Sequence, residues 1–377
     1  MAMVDVTVRG AGIFGLSIAW KALQRGARVR VVDRHGPGSG ASGGIVGALQ
    51  PHVPDPWNAL KQYQLESLIE ARDFWDGVDA TSGVSSGFAR VGRLQPLMHE
   101  RDIALARGRA EAARSNWGAS ALWEIIDARE AGNWIPPTST GLLVHDTLSA
   151  IVHPRDAIRS LATAIRAKGG EIVADEPDQG PVIWATGWKG LLELGAALGR
   201  PVGGGVKGQA ALVRHDARGQ PQVFAGGLHV VPHLDGTLAI GSTSERDFAA
   251  SATTDDLLDD IILRAGKVMP VLTGATVIER WAGVRPRSVS RAPLLGPWPG
   301  RAGHHVANGG FKIGFGVAPK VAGTILDLVL EGVDSIPADF HTRRLTDTQN
   351  AFASNRAASP NQSGQGQALS PRKSCEP

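Results

Sequence analysis

Three glycines at fixed spacing, Gly10, Gly12 and Gly15, and an acid eighteen positions later, Asp33, are the residues whose types most clearly imply chemistry. A glycine at position 10 permits a tight turn from strand to helix. One at position 12 has no Cβ, so a pyrophosphate can approach the backbone, and one at position 15 lets the helix pack on the strand. Ile13 and Phe14 fill the same turn. A helix starting there offers free N–H groups and a positive dipole end to phosphate oxygens. A carboxylate at Asp33, followed by Arg34, can accept hydrogen bonds from a ribose. This spacing implies dinucleotide binding, and by itself it does not separate FAD from NAD.

Other chemistries find little support. The single cysteine, Cys375, excludes an intrachain disulfide, a cysteine-rich zinc site and an iron–sulfur cluster. His304 and His305 are adjacent rather than at a helical metal spacing and have no carboxylate cluster, so no metal is expected. Neither a GxSxG elbow nor an HExxH motif occurs. The formal net charge of +3 is small and spread along the chain, and the ten tryptophans are scattered, so no nucleic-acid partner is expected.

The elements around the fingerprint fit it. Val4, Val6 and Val8 alternate with polar residues as a strand does, and Leu16, Ala19, Trp20 and Leu23 recur at helical spacing until Gly26. Residues 27–32 form a second strand ending at Asp33. The result is a β-turn-α-β unit of about 30 residues, as the fingerprint requires. A Gly/Ser loop covers residues 36–47, and helices are expected near residues 65–75, 102–117 and from Pro154. Residues 206–243 read as successive strands. Thr254 is expected to cap a helix, and Pro319 to open the last one. With 377 residues, 42% of them hydrophobic, two to three domains of ~150 residues are expected. The 48 glycines are about 13% of the chain against ~7% in average usage, which implies many turns and close backbone approaches. No signal segment or bilayer span is visible, which favours a cytoplasmic protein. After residue 346 the composition suits a disordered tail. Oligomeric state leaves no trace in the sequence.

Six segments in order carry a resemblance. They are the N-terminal fingerprint, Gly40-Ala41-Ser42-Gly43-Gly44, His153-Pro154-Arg155 and Trp184-Ala185-Thr186-Gly187. Trp281-Ala282-Gly283-Val284-Arg285-Pro286 follows, and then Asn308-Gly309-Gly310-Phe311-Lys312-Ile313-Gly314. Over residues 4–332 the chain resembles the D-amino acid oxidase/glycine oxidase family of FAD-dependent oxidoreductases. The resemblance implies an α/β fold with a Rossmann-type FAD-binding domain of glutathione-reductase-like form and a mixed-sheet α+β substrate domain. The FAD domain would comprise residues 1–80, 150–200 and 280–332, and the substrate domain residues 81–149 and 201–279. A C-terminal extension would cover 333–346. It also implies noncovalent FAD, held by the fingerprint and by Ala41, Ser42, Gly43, Ala185, Gly187, Gly309, Gly310, Phe311, Ile313 and Gly314.

The implied reaction oxidises the C–N bond of an amine or amino acid by hydride transfer from Cα–H to flavin N5, with a carbonyl product. Arg285 would clamp the substrate carboxylate, a task that suits a planar, always charged guanidinium. An interdomain ion pair is the structural alternative, and Arg287 is a nearby competitor. Where the family often has a tyrosine ahead of an apolar-apolar-proline run, this chain has His229-Val230-Val231-Pro232. His229 would therefore bind a polar or anionic group, titrate near neutral pH, or simply face solvent. His52 and Lys312 are further candidates near the flavin. Three alternatives remain: a dehydrogenase of the same fold using another electron acceptor, a tRNA-modification-type FAD oxidoreductase, and a flavin-binding protein without catalysis.

Overall fold

The computed structural model describes residues 4–346; the expected tail, and Cys375 with it, lies outside the described residues. The first sheet is built around β1 (Val6–Arg9) and β2 (Val29–Val32), which are parallel and joined by α1 (Ile13–Gln24). Parallel neighbours need a crossover, and the apolar run from Ile13 to Ala22 supplies it by burying α1 against the sheet. β8 (Glu171–Val173), β9 (Val182–Trp184) and β16 (His304–Asn308) extend the parallel set. β15 (Leu294–Pro297) closes one edge antiparallel, giving the order β15-β16-β9-β1-β2-β8. α2 (Ala59–Ser82), α4 (Pro154–Ala167) and α7 (Gly314–Glu331) complete the helical layer, with Trp20, Leu68, Trp75 and Ile325 buried in its core. Residues of the 333–346 extension fold back on this half, where Phe340 is buried against Tyr63.

The second sheet has eight strands in the order β14-β10-β13-β12-β11-β4-β6-β5. They are β14 (Val277–Ser288), β10 (Gly203–Arg214), β13 (Thr237–Gly241), β12 (Leu228–Pro232), β11 (Gln222–Ala225), β4 (Arg93–Pro96), β6 (Leu142–Asp146) and β5 (Trp123–Asp127). All pair antiparallel except β4 with β11, so the sheet is mixed. α6 (Asp256–Val268) covers one face over Ala211, Val213, Val230 and Ile240. The other face turns to the first half, where Ala210, Leu212, Val231 and Ala239 meet Ile45 and Ile151. The short pair β3 (Ala48–Leu49) and β7 (Ala150–Ile151) lies at this junction. α3 (Glu100–Trp117) packs beside β5, and α5 (Gly187–Ala197) packs beside β10 and β14.

Three sequence expectations change. Residues 280–288, assigned by sequence to the FAD domain, pair with β10 along its length and belong to the second sheet. The α6 cap is Asp255 rather than Thr254, because the Asp255 carboxylate accepts from Leu257 N–H while also bonding Gln209 of β10. α7 starts at Gly314, five residues before Pro319, so Pro319 lies inside it and the Phe315 carbonyl lacks its helical donor. Among the described residues no helix is long and apolar enough to cross a membrane, and no cluster of metal-ligating side chains occurs.

Candidate active site

A cavity of about 960 Å³ runs between the two sheets. Its inner wall is backbone. Gly10 has φ +106°, and a Cβ there would stand 2.4 Å from the Ala185 carbonyl oxygen. A Cβ on Gly15 would stand 1.8 Å from the Gly10 oxygen, so these two glycines lock strand, turn and helix together. Gly12 differs: a Cβ there would point at the Ser42 hydroxyl, 3.1 Å away, in the cavity. Ser42 Oγ accepts a hydrogen bond from the Ile13 N–H at 2.9 Å, at the start of α1. Asp33 Oδ2 accepts from the Ala11 N–H at 2.7 Å and Oδ1 from the His35 N–H at 2.9 Å, which braces the turn and leaves lone pairs toward the cavity. The N-termini of α1, α5 and α7 all reach the lining, and α7 has no side-chain cap. Three converging helix dipoles favour negative charge there.

The outer wall is side chains of the second sheet. Register puts Trp281, Gly283 and Arg285 of β14 on the same face as His229 of β12, through the pairs Ala210–Trp281, Ala210–Gly241 and Gly241–His229. Arg285 Nη2 donates to Ser242 Oγ at 2.6 Å and Nη1 to the Thr243 carbonyl at 3.4 Å. The guanidinium crosses Gly208, where a Cβ would come within 1.9 Å of Nη1. A polar layer fixes this seat. Gln209 N–H donates to Thr243 Oγ1 at 2.8 Å, and buried Lys207 reaches both Glu245 and Asp255 at 3.4 Å. Burial without an adjoining carboxylate pushes the Arg285 pKa down to about 10, opposed by Glu245, so the group stays charged at neutral pH.

His229 packs on Phe224 with ring centroids 4.8 Å apart, and its buried Nδ1 has no partner among the described residues. Burial, with Arg93, Lys312 and Arg285 nearby, pushes its pKa down to about 3. It is therefore a neutral group on the cavity wall: it neither titrates near neutral pH nor faces bulk solvent. Lys312 lines the cavity beside Phe311, and burial and Arg285 lower its pKa.

Residues 5–328 match the model of the FAD dependent oxidoreductase (DAO) family. The chain belongs to that family. It is 28% identical over 368 residues to glycine oxidase of Pseudomonas putida, covering 88% of this chain and 96% of that enzyme. The Pseudomonas aeruginosa glycine oxidase is also 28% identical, over 373 residues, covering 86% and 94% of the two chains. The crystal structure of glycine oxidase from Geobacillus kaustophilus superposes with a TM-score of 0.78 at 22% identity, covering 89% of this chain and 97% of that one. The protein is thus an FAD-dependent oxidoreductase, and the cavity fits its cofactor. Gly12 brings bare backbone to the lining beside Ser42, α1 and α5 present N–H groups, and Asp33 suits a ribose.

The cavity gathers most residues expected from sequence in a DAO-family site: Gly10, Gly12, Ile13, Phe14, Asp33 and Arg34 from the first unit, then Ala41, Ser42, Ala185 and Gly187. Gly310, Phe311, Lys312 and Gly314 line its other end, with Arg285 and His229. Five expected residues do not line it. Gly15 and Gly43 pack against the Gly10 and Gly38 carbonyls, and Gly309 turns at φ +79° against Ser288. Ile313 precedes α7 and packs against the first core. His52, a catalytic candidate in the sequence, is exposed, with Nδ1 2.6 Å from Gln64 Oε1. Sequence reasoning missed Gly208, Ser242, Thr243 and Glu245, which seat Arg285. A glycine inside a strand, as at 208, does signal close approach by another group.

Proposed function

We propose that the protein oxidises the C–N bond of an amino acid, with Arg285 holding the substrate carboxylate. One observation carries this: Arg285 lies in the cavity wall facing the cofactor cradle, is bonded only to Ser242 and Thr243, and has no carboxylate in contact among the described residues. A buried guanidinium without a counter-ion is costly and gains strongly from a bidentate carboxylate. FAD, when bound, supplies the two-electron acceptor. The chain's residues supply the rest. Arg285 fixes the carboxylate and so orients Cα–H toward the cradle. Arg285 and Lys312 disfavour a second positive charge, so the substrate amine binds neutral and its lone pair is available. Neutral His229 offers one hydrogen bond as donor or acceptor, and Trp281 and Val46 keep the wall apolar. The substrate loses a hydride from Cα and a proton from nitrogen; the resulting imine is hydrolysed by water to a carbonyl compound and ammonia, or an amine where the substrate nitrogen is substituted. No side-chain base is required.

The test is anaerobic bleaching of the bound flavin by a panel of amino acids and the matching amines lacking the carboxylate. Amino acids are expected to bleach it. Bleaching by the plain amines alone, or by neither class, would overturn the proposal. Oxygen uptake then separates an oxidase from a dehydrogenase.

A further inference from the structure

Arg285 is not the only cation at this end of the cavity, because Lys312 also lines it. Strand alternation places Arg287 on the same face of β14, roughly 7 Å further along. Its guanidinium lies over the Phe311 ring at 5.8 Å, and the Lys312 ammonium lies over that ring at 5.6 Å. Both cations thus lie against the Phe311 ring. It is held in the left-handed region, with φ +40°, by its N–H bond to the Pro286 carbonyl at 2.9 Å and by the Arg287–Gly310 bridge. A bulky residue rarely adopts that conformation, and such strain tends to persist where a site needs a fixed geometry. Arg246 and Arg291 are close enough to lower the Arg287 pKa, and among the described residues no carboxylate offsets the field on Arg287 or Lys312. One end of the cavity is therefore lined by Arg285 and Lys312, with Arg287 just outside the lining against the same Phe311 ring.

Resting on the reading of Arg285 as a carboxylate clamp, we propose that the substrate carries a second carboxylate, read by Lys312, with Arg287 against the same Phe311 ring adding to the positive field. The substrate class is an amino dicarboxylate. Arg285 takes the carboxylate next to the reacting carbon, and the second anion reaches one strand step outward. A single carboxylate placed between Arg285 and Lys312 is the competing arrangement, and the experiment separates the two.

The FAD-loaded enzyme is mixed anaerobically with aspartate and asparagine, and with glutamate and glutamine, in both enantiomers. The ratio of flavin-reduction efficiency, acid over isosteric amide, is measured. The acid is expected to lead by at least ~10-fold, with the lead shrinking as salt rises. In Lys312→Met the ratio should fall by about 10-fold, and in Lys312→Glu it should invert. Spectral titration of the bound flavin with succinate and with propionate gives a readout without turnover, and succinate should bind more tightly in the wild type only. If Lys312→Met does not retain FAD, Arg287→Gln tests the same step and must also lower the ratio. Equal rates for acid and amide in the wild type would overturn the second anion site and leave the carboxylate clamp standing. Equal slowing of both in Lys312→Met would assign a single shared carboxylate instead. Bleaching by amines alone would remove the clamp itself, and the second site with it.

Discussion

The two walls of the cavity are made of different materials. The inner wall is backbone: glycines at 10, 12 and 15, three helix N-termini, and one carboxylate that braces the turn. The outer wall is side chains brought into register by strands far apart in sequence: Arg285 of β14, His229 of β12, and their seats on β10 and the segment after β13. A backbone wall binds a group present in every turnover and depends little on side-chain identity. A side-chain wall selects a substrate, and single substitutions can retune it. Cofactor and substrate functions should therefore break separately.

The largest effect is expected at Gly12. A valine there would press on the Ser42 hydroxyl and crowd the cavity at the start of α1 without disturbing the Gly10–Gly15 lock, so the protein should fold and FAD affinity should fall by at least ~100-fold. That loss corresponds to two charged hydrogen bonds at ~1.5–3 kcal/mol each. Titration of apoprotein with FAD checks this, and a folded Gly12→Val with wild-type affinity would break the division between the walls. Asp33→Ala should weaken FAD binding by roughly 10- to 100-fold. It loses the brace on Ala11 N–H and the carboxylate expected to accept from a ribose.

On the outer wall, Gly208→Ala should leave the FAD spectrum and affinity unchanged. It should lower kcat/KM for a carboxylate-bearing substrate about 10-fold, because the new methyl displaces the guanidinium from Ser242 and Thr243. A loss of FAD in that variant would show that the walls are not independent.

The smallest effect is one of pH. The pKa of His229 is pushed from 6.5 to about 3, and that of His233 to about 4. Between those values and 6.5 the unfolded chain binds protons that the folded chain refuses, so stability falls as pH drops through that window. His229→Asn should flatten the decline of Tm between pH 7 and 4.5. An unchanged slope would mean that His229 is not held neutral by its surroundings.

The same contrast explains what the sequence could reveal. The inner wall is local: strand, turn, helix and acid fall within residues 4–33, and each glycine's task can be read from spacing. Arg285 was legible through its Gly-Val-Arg-Pro setting, but its seat was not, because Gly208, Ser242 and Thr243 meet it only through the pairing of β14 with β10 and β10 with β13. The charge pattern misled in a similar way. Net charge is small along the chain, yet folding gathers Arg285 and Lys312 in the lining at one end of the cavity, with Arg287 beside Phe311 just outside it. His52 was misplaced because its Pro-His setting implies only a turn. The Gln64 bond that holds its ring outside the cavity depends on where α2 passes. Pro319 was read as a helix start because proline favours that position, whereas the glycine-rich segment before it had already entered α7.

The most direct measurement is the rate of anaerobic flavin reduction by an amino acid and by the matching amine, in wild type and in Arg285→Met. The account predicts a wild type that strongly prefers the amino acid. In Arg285→Met the FAD spectrum should be intact, with efficiency toward the amino acid lowered at least roughly 30-fold, the ~2–5 kcal/mol lost when one partner of a buried charge pair is removed. Efficiency toward the amine should change little. Equal slowing of both compounds, or a wild type that already prefers the amine, would contradict it.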